Sequence, residues 1–545
     1  MNRIKDYLSE EMNRYRFFSL LIFIGIITLL AWQSDDAYHA YIMAKNLVDG
    51  NGFVYNVGQR ATASSCPLFT LVVAFGYLIF RNMFFVSLLI NIVFSALAYK
   101  ILVWDFAKTK RQVIFCFAVL AGSVSFVSYT TSGLENSMLF FLAACFLRLY
   151  FSSEVYSGKK MLILALLVAL IAMTRMDAVL LFAPMAVYVF LFKRDGVNFG
   201  KAVGIGVLGL LPFILWEIFA TFYYGFPFPN TAYAKLGTDI ALRSYLVRGV
   251  KYYINALICD PIILIVPLFA FLACLIVKKS QYIWCMSGVV IYCLYLLYIG
   301  GDFMMGRHFT VLFYMSLVCY MDIKNREFSF LGKGASFNRT FVGFVVAAIV
   351  FVSTTNLITS QFLYGGTFSS PISDERAGYF RYSSLFNNVL SLINTGDLCI
   401  RQAWNESGIE EVRDAGYKAG VLRNVPGISK YYNNDIYLND QYALGDPYLA
   451  HLPAVKEANW RIGHMWRDLP AGYAEQVFSA QDPKETNRIE NPAAAQYYEI
   501  IWEITRGPLF DAGRIEKIIN INLGKYDYLV EEYRSTLDEN GMCVK

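Results

Sequence analysis

Long apolar blocks constrain the fold of this chain more than any other feature of its sequence. Before about residue 358, runs of roughly 15–22 hydrophobic residues recur, a length that matches the ~30 Å hydrocarbon core of a bilayer. Of the 545 residues, 57% are hydrophobic and 16% are charged, whereas soluble domains carry about 25% charge. Lipid must therefore replace water over much of the surface, and the sequence predicts an all-α polytopic membrane domain.

The apolar blocks predict eleven membrane spans, at approximately residues 17–32, 83–103, 112–128, 134–151, 161–173, 177–192, 202–222, 261–277, 282–299, 308–321 and 340–358. From residue 361 onward the composition turns polar. We therefore predict a membrane domain over residues 1–358 and a soluble α+β domain over residues 359–545. In the soluble part, Val421–Leu438 alternates as short strands do, and Pro492–Arg506 has helical spacing.

Positive charge predicts the orientation of these spans. Alternate connections carry clusters of Lys and Arg, such as Lys108–Arg111, and the positive-inside rule assigns these connections to the cytoplasm. An odd number of spans then puts the N-terminus in the cytoplasm and the soluble domain outside. The short apolar stretch Pro67–Phe80 is assigned to the interface, because a full span there would put Lys108–Arg111 outside. A second interfacial helix is predicted near Ala241–Ile254.

The chemically suggestive polar clusters all fall in connections predicted to be extracytoplasmic. They are Asp35–His39, Thr131–Glu135, Thr174–Asp177, Tyr223–Lys235 and Gly300–His308. A transporter would hold ionisable groups near the bilayer midplane, where Glu217 is the main acidic residue of this chain. The clusters instead predict a single site at the outer interface.

Asp35 and Asp36 follow the first span directly, and Ala37–Val48 has spacing compatible with a helix. Adjacent carboxylates at a membrane surface repel each other and resist desolvation, so at least one pKa should be raised. Such a group can take a proton from an acceptor hydroxyl that attacks the anomeric carbon of a sugar. The alternative is a helix-capping Asp beside a solvated neighbour. His39 is interpreted as a packing or hydrogen-bonding partner, because no second His is near in sequence.

Three cations in these connections are candidates for binding a lipid phosphate. They are Lys235, Arg307 and Arg175, and Glu135 could belong to the same site. Interfacial anchoring by the neighbouring tyrosines and snorkelling of Arg are the alternatives. The ten cysteines show no paired spacing typical of metal ligands. Cys399 and Cys543 could form a disulfide if the soluble part is periplasmic.

Taken together, these segments resemble the GT-C class of membrane glycosyltransferases, which use polyprenyl-phosphate sugars. The chain is most similar to arabinofuranosyltransferases of the mycobacterial cell-wall type and to the pilin arabinosyltransferases of Gram-negative bacteria. The matching stretches run in order along nearly the whole chain: DDAYHAYIMAKNLVDGNGFVYNVGQR, SSCPL, TSGLE, TRMDAVLL, YYGFPFPNTAYAK, GGDFMMGRHF, DER, YALGDPYLAHLP and RIGHMWRDLPAGY. The sequence departs from the family pattern at His39 and Cys66, which leaves the identity of the sugar open.

The resemblance implies that a carboxylate at the start of the first outer loop is the catalytic base. Asp35 is favoured, with Asp36 orienting the acceptor or the base, and the choice between them stays open. The resemblance also implies that the donor phosphate lies near Lys235, Arg307 and Arg175. The residues that we predict to bind substrate are Tyr38, His39, Glu135, Asn230, Tyr233, Asp302, His308 and His464.

The expected activity is transfer of a sugar, arabinofuranose, from polyprenyl phosphate to a periplasmic acceptor at the bacterial inner membrane. Expected partners are the lipid-linked donor, membrane lipid and a protein or glycan acceptor, and not nucleic acid. No metal site or cofactor is predicted, since lipid monophosphate is already an activated leaving group, although a divalent cation is not excluded. A chain rich in Phe, Tyr, Ile and Asn favours pilin hydroxyls as acceptor. The alternatives are an arabinan or other cell-envelope glycan as acceptor and, from another class of protein, a lipid-linked sugar translocase.

Overall fold

A computed structural model describes residues 10–236, 238, 240–327, 334–355, 371–404, 419–422, 426–457, 460–479, 481–538 and 540–542. Over these residues the chain is mostly helical, and its one sheet has two short strands. The helical character predicted for the membrane part is confirmed. The proposed disulfide partner Cys543 lies outside the described residues.

The α-helices up to residue 277 alternate between long apolar segments and short connecting pieces. They are Glu11–Leu29, Ala37–Val48, Pro67–Phe80, Met83–Ile101, Lys110–Gly122, Val124–Tyr129, Asn136–Phe151, Gly158–Thr174, Val179–Phe192, Phe199–Tyr224, Asn230–Leu236, Leu242–Cys259 and Ile262–Val277. After residue 277 the described α-helices are three long ones, of 19, 18 and 22 residues, followed by shorter ones of at most 15 residues. They are Ser280–Tyr298, Phe309–Arg326, Gly334–Thr355, Glu375–Ser383, Leu385–Thr395, Cys399–Trp404, Pro426–Tyr432, Tyr473–Ser479, Pro492–Arg506, Ala512–Asn522 and Asp527–Arg534.

Four described segments are long and apolar enough to cross a membrane: Glu11–Leu29, Met83–Phe106, Phe199–Tyr224 and Ser280–Tyr298. Helices Leu242–Cys259 and Ile262–Val277 meet at an angle of 102° and make a fifth span if the pair is counted as one. Other predicted spans coincide with shorter apolar helices. The chain is thus consistent with a membrane protein, whereas the eleven crossings and their orientation stay predictions.

The two predicted interfacial segments are both helical. Helix Pro67–Phe80 has the predicted bounds and begins with proline, which fits the first turn of a helix because its missing N–H would be unpaired there. Helix Leu242–Cys259 covers the second segment and has one apolar face exposed, with Leu246, Val250 and Ile254 on it. An exposed apolar face on a helix with several basic residues is typical of a membrane surface helix.

By its internal contacts the chain divides into two compact units, each built from three segments. Unit 1 comprises residues 1–34, 87–213 and 242–387, and unit 2 comprises residues 35–86, 214–241 and 388–545. The domain boundary predicted from composition at residue 358 is not the boundary between these units. The reason is that residues 35–86 and 214–241 make most of their contacts within the unit that contains residues 388–545.

Unit 1 is organised around the helix Phe309–Arg326, whose residues 309–323 are all buried. This helix packs against Ile262–Val277 and Asn136–Phe151, and Val179–Phe192 packs against Ser280–Tyr298. A helix that is buried on all sides needs no polar face, which explains its nearly continuous apolar sequence.

Unit 2 has its core around helix Pro492–Arg506, whose predicted bounds are confirmed. Asn491 caps the helix by accepting a hydrogen bond from the Ala494 N–H at 3.0 Å. Strands Ala419–Leu422 and Tyr437–Asp440 pair in parallel, with Ala419 opposite Tyr437. They lie at the two ends of the stretch predicted to alternate, and helix Pro426–Tyr432 occupies its middle.

Candidate functional site

The predicted site residues fall into two groups, one in each unit. Unit 2 contains one group, which comprises Asp35, Asp36, Tyr38, His39, Asn230, Tyr233, Lys235 and His464. Unit 1 contains the other, which comprises Glu135, Arg175, Asp302, Arg307 and His308. Each group is described here within its own unit.

Three residues of unit 2 form what we call the acidic cluster: Asp35, Asp36 and His39. One side-chain oxygen of each carboxylate and one ring nitrogen of His39 all lie within 4.8 Å of one another. Helix Ala37–Val48 produces this arrangement, because it begins directly after the acidic pair and its first turn brings position 39 next to position 35. The side chain of Asp36 makes no capping hydrogen bond to this helix, so the alternative role as a helix cap is wrong.

Backbone N–H groups from a distant segment hold the Asp35 carboxylate. Gly427 donates to Oδ2 at 3.3 Å and Ile428 donates to Oδ1 at 2.7 Å. A glycine is needed at 427, because a Cβ there would lie 2.3 Å from the Asp35 carbonyl oxygen. This contact, which the sequence analysis missed, fixes the orientation of the carboxylate.

The pKa of Asp35 is raised to about 7. Burial of the carboxyl is the largest cause, and the charges of Asp36 and Asp440 act in the same direction against the two backbone N–H groups. Only 6% of Asp35 is exposed, whereas Asp36 is half-buried. The prediction that one carboxyl of the pair has a raised pKa is confirmed in direction.

Aromatic rings pack against Tyr38 and His39, which follow the acidic pair on helix Ala37–Val48. The ring of Tyr38 lies 5.0 Å from that of Tyr41 and 5.3 Å from that of Tyr431. The ring of His39 lies 5.6 Å from that of Tyr55. Tyrosines supply flat apolar faces with a polar edge, which suits contact with a sugar ring as well as plain packing.

The glycine-punctuated loop at residues 51–60 is fixed to strand Tyr437–Asp440. The side chain of Asn56 donates to the Leu438 carbonyl at 3.0 Å and accepts from its N–H at 3.1 Å. The Tyr437 hydroxyl donates to Gln59 at 2.8 Å. Asn46, on helix Ala37–Val48, donates to the Val54 carbonyl at 2.9 Å. These side-chain hydrogen bonds therefore hold the loop in a defined conformation within unit 2.

Lys235 and His464 share the electrostatic environment of the acidic cluster. Burial lowers the pKa of His464 to about 4, with the charge of Lys235 acting in the same direction and that of Asp36 opposing. The same two charges act on His39, whose pKa is also lowered, chiefly by burial. Lys235 is exposed and forms no ion pair with a described residue. The structure thus brings two more predicted residues within electrostatic range of the acidic cluster.

The contacts found for Asn230 and Tyr233 are a backbone hydrogen bond and aromatic packing within unit 2. The Asn230 backbone N–H donates to the Thr62 carbonyl at 3.1 Å. The Tyr233 ring packs 4.5 Å from His451 and 5.5 Å from Phe226, next to the core of unit 2. Their predicted contact with substrate stays a prediction.

The charged group of unit 1 is what we call the paired cluster: Glu135, Arg175, Arg307, Asp177 and His308. Both predicted phosphate-binding arginines of this unit donate to the Glu135 carboxylate, Arg175 at 3.2 Å and Arg307 at 3.0 Å. Burial by itself would raise the pKa of Glu135, but the two guanidinium groups outweigh it, so that the pKa lies below its ordinary value.

A second carboxylate completes the paired cluster. Arg175 donates to both oxygens of Asp177, at 3.1 and 2.9 Å, and the Tyr292 hydroxyl donates to one of them at 2.9 Å. His308 lies between Asp177 and Asp302, at 3.4 and 3.3 Å. The sequence analysis named Asp177 only as the end of the polar segment Thr174–Asp177, without a role in the site, and it did not name Tyr292. The available signal was that Asp177 stands two residues after Arg175 in the same polar segment.

The side chains of Arg175 and Arg307 are each 12% exposed, which excludes snorkelling towards the interface as their role in this conformation.

In comparisons with known proteins, no family model, no curated protein and no solved structure matches this chain. Its function is therefore argued from the two clusters themselves.

Proposed function

We propose that this chain is a membrane glycosyltransferase that moves a sugar, arabinofuranose, from a polyprenyl-phosphate donor to a hydroxyl of a periplasmic acceptor. The observation that carries the proposal is the acidic cluster. Two adjacent carboxylates follow the first apolar helix, one of them buried with a pKa of about 7 and held in place by two backbone N–H groups. A fixed carboxylate with a pKa near neutrality is suited to remove a proton from a hydroxyl.

In the proposed reaction the acceptor oxygen forms a bond to the anomeric carbon of the donor sugar. The bond from that carbon to the phosphate oxygen breaks, and the phosphate leaves with the electron pair. The proton of the acceptor passes to a carboxylate oxygen of the acidic pair. The raised pKa favours Asp35 as this base, while the greater exposure of Asp36 favours contact with the acceptor.

A cation is needed to hold the phosphate as its negative charge develops. Lys235 is the first candidate, because it is exposed, has no ion-pair partner among the described residues and acts electrostatically on His39. Arg175 and Arg307 already share the Glu135 carboxylate. For either of them to bind the donor, the phosphate would have to compete with that carboxylate.

The proposal includes a location and an acceptor. The positive-inside pattern favours a cytoplasmic N-terminus and a C-terminal part on the opposite side of the membrane. The resemblance to bacterial enzymes supports an inner membrane, which would put the C-terminal part in the periplasm. Pilin hydroxyls are the favoured acceptor, and an arabinan or other envelope glycan is the alternative. The resemblance to pilin and cell-wall arabinosyltransferases supports both.

The test is sugar transfer by the purified full-length chain in lipid nanodiscs, with a synthetic polyprenyl-phosphate arabinofuranose donor. Pilin peptides and arabinan oligosaccharides are offered in parallel, and mass spectrometry detects the added pentose. We expect Asp35→Asn or Asp36→Asn to reduce the rate about 10²–10⁴-fold, the usual contribution of a general base. The matched control is Asp49→Asn at the end of the same helix, where the carboxylate pairs with Lys45 and Arg81.

Full activity in both Asn variants would exclude the acidic pair as the base. If the wild-type chain transfers no sugar but carries a labelled lipid-linked sugar across a sealed proteoliposome, it is a translocase. Transfer to the arabinan alone would leave the reaction class intact and replace the pilin acceptor.

A further inference from the structure

The acidic cluster has a donor set that the transfer reaction does not by itself require. Asp35, Asp36 and His39 direct two carboxylate oxygens and one imidazole nitrogen to a region in which all three atoms lie within 4.8 Å of one another. General-base catalysis needs one of these carboxylates. The question is what the imidazole contributes.

The imidazole of His39 is buried without a hydrogen-bond partner among the described residues. Only 4% of the residue is exposed, and neither ring nitrogen has a hydrogen-bond partner among the described residues. Buried polar groups are nearly always paired, so a buried imidazole with both nitrogens unpaired needs an explanation. The nearest polar atoms to the ring within the acidic cluster are carboxylate oxygens, which are themselves ligands for cations.

We propose that Asp35, Asp36 and His39 form a binding site for one divalent transition-metal cation. Carboxylates suit Mg²⁺, Ca²⁺ and Mn²⁺, while imidazole suits Zn²⁺, Fe²⁺ and Ni²⁺, so the mixed set favours a transition metal, and Mn²⁺ is a paramagnetic probe that its carboxylates accept. Three protein ligands leave coordination positions open for a substrate oxygen, as catalytic metal sites require. This inference rests on the proposed function for its role, but not for the binding itself.

The geometry needs only a small adjustment to hold an ion. Metal bonds of about 2.0–2.2 Å put two ligands of one ion at most about 4.4 Å apart. The ligand atoms of the cluster lie within 4.8 Å of each other, so movements of a few tenths of an ångström suffice. The backbone N–H groups of Gly427 and Ile428 orient the Asp35 carboxylate, the kind of outer contact that positions metal ligands.

The charges around the cluster are compatible with a cation. Asp440 adds a further negative charge that acts on Asp35. Lys235 opposes the cation, but its side chain is exposed and its ammonium can extend into solvent. The paired cluster of unit 1 offers no such site, because two arginines already balance Glu135 and Asp177.

A cation in this position would add a polarising charge to the proposed reaction. The acceptor hydroxyl would occupy an open coordination position, where the positive charge would polarise its O–H bond and lower its pKa, and its proton would pass to an Asp oxygen that does not bind the cation. The same charge would also lower the pKa of Asp35, so that the acidity of the hydroxyl, and not the raised pKa of the carboxyl, would drive the proton transfer. The anomeric carbon and the phosphate react as already described. No oxidant or reductant is involved, so the ion keeps its charge throughout.

The test is Mn²⁺ binding to the purified full-length chain after treatment with EDTA, measured by electron paramagnetic resonance. We expect one tight site, with nitrogen coupling from a directly bound imidazole in the pulsed spectrum. His39→Gln and Asp36→Asn should each weaken binding at least about 10-fold. Asp49→Asn, whose carboxylate is paired elsewhere, should bind Mn²⁺ as the wild type does. Asp36 is half-buried, so this variant keeps the test decisive if His39→Gln fails to fold.

Unchanged binding in both variants, or a bound Mn²⁺ without imidazole coupling, would overturn the cation site. Sugar transfer measured on the same samples separates this failure from that of the proposed function. If the chain has a tight Mn²⁺ site but transfers no sugar, the cation site stands and the glycosyltransferase proposal is wrong. If the chain binds no Mn²⁺ and still transfers sugar after EDTA treatment, the glycosyltransferase proposal stands and the cation site is wrong.

Discussion

The acidic cluster and the paired cluster contain the same kinds of residues but differ in how their charges are balanced. In the paired cluster each carboxylate faces a guanidinium, and Arg307 approaches both oxygens of Glu135, at 3.0 and 3.3 Å. In the acidic cluster Asp35 contacts backbone N–H groups, and an imidazole with unpaired nitrogens lies beside it. A cluster whose charges and hydrogen bonds are already paired has few groups free to bind a ligand, whereas a cluster with unpaired nitrogens has such groups. We therefore expect the paired cluster to stabilise its unit and the acidic cluster to bind a ligand.

The largest expected effect is that of Glu135→Gln on the stability of unit 1. The substitution leaves two buried guanidinium groups without their shared carboxylate, and breaking such a buried pair costs about 3–5 kcal/mol. The free energy of unfolding in detergent micelles measures the loss. The control Glu11→Gln breaks an exposed pair with Lys110 and should leave the free energy of unfolding close to that of the wild type.

If Glu135→Gln is no less stable than Glu11→Gln, the paired cluster is not a stabilising element. The free energy of unfolding of both variants is then measured again with polyprenyl phosphate added. Restored stability in the Gln variant would mean that Arg175 and Arg307 can bind a lipid phosphate once Glu135 no longer competes for them.

Gly427→Ala should have the next largest effect, this time in unit 2. Its Cβ would lie 2.3 Å from the Asp35 carbonyl oxygen and 3.1 Å from Oδ1, so the backbone must shift. Such overpacking costs about 1–3 kcal/mol. We expect sugar transfer to fall as well, because the N–H groups that orient Asp35 move with it. A variant with wild-type unfolding and transfer would show that this contact does not position the carboxylate.

A smaller effect is expected for Tyr292→Phe. The variant removes the hydrogen bond from the tyrosine hydroxyl to Asp177 at 2.9 Å, but Arg175 still donates to the same oxygen. The loss of one such bond with its acceptor still satisfied is worth about 0.5–1.5 kcal/mol. Thermal unfolding of the variant beside wild type measures it. A loss as large as that in Glu135→Gln would mean that the cluster depends on the hydroxyl as much as on the charges.

Asp35→Asn should have the smallest effect on unfolding, within about 1 kcal/mol of wild type. The substitution removes a buried charge that pairs with no cationic side chain among the described residues, which offsets the lost hydrogen bond. Unfolding is measured after EDTA treatment, so that bound metal does not contribute. The same acid-to-amide change would then be costly in the paired cluster and nearly neutral in the acidic one. A loss of several kcal/mol at Asp35 would remove the distinction between the clusters.

Local sequence patterns predicted local structure well. The bounds of helices Ala37–Val48, Pro67–Phe80 and Pro492–Arg506 follow from apolar spacing, and the last two from proline at the first turn. The proximity of His39 to Asp35 follows from helical spacing alone. The number of spans is less well determined, because several apolar blocks form helices shorter than a bilayer requires.

The sequence by itself picked out most of the charged residues of both clusters and determined which of them are neighbours on one helix. Only the tertiary structure decided how their charges are balanced. Glu135 meets Arg307 across 172 positions, and Asp35 meets Ile428 across 393. Pairings at such separations depend on how whole helices pack, and no local periodicity encodes them. That is why two stretches equally rich in polar residues became one satisfied ion-pair network and one cluster suited to a ligand.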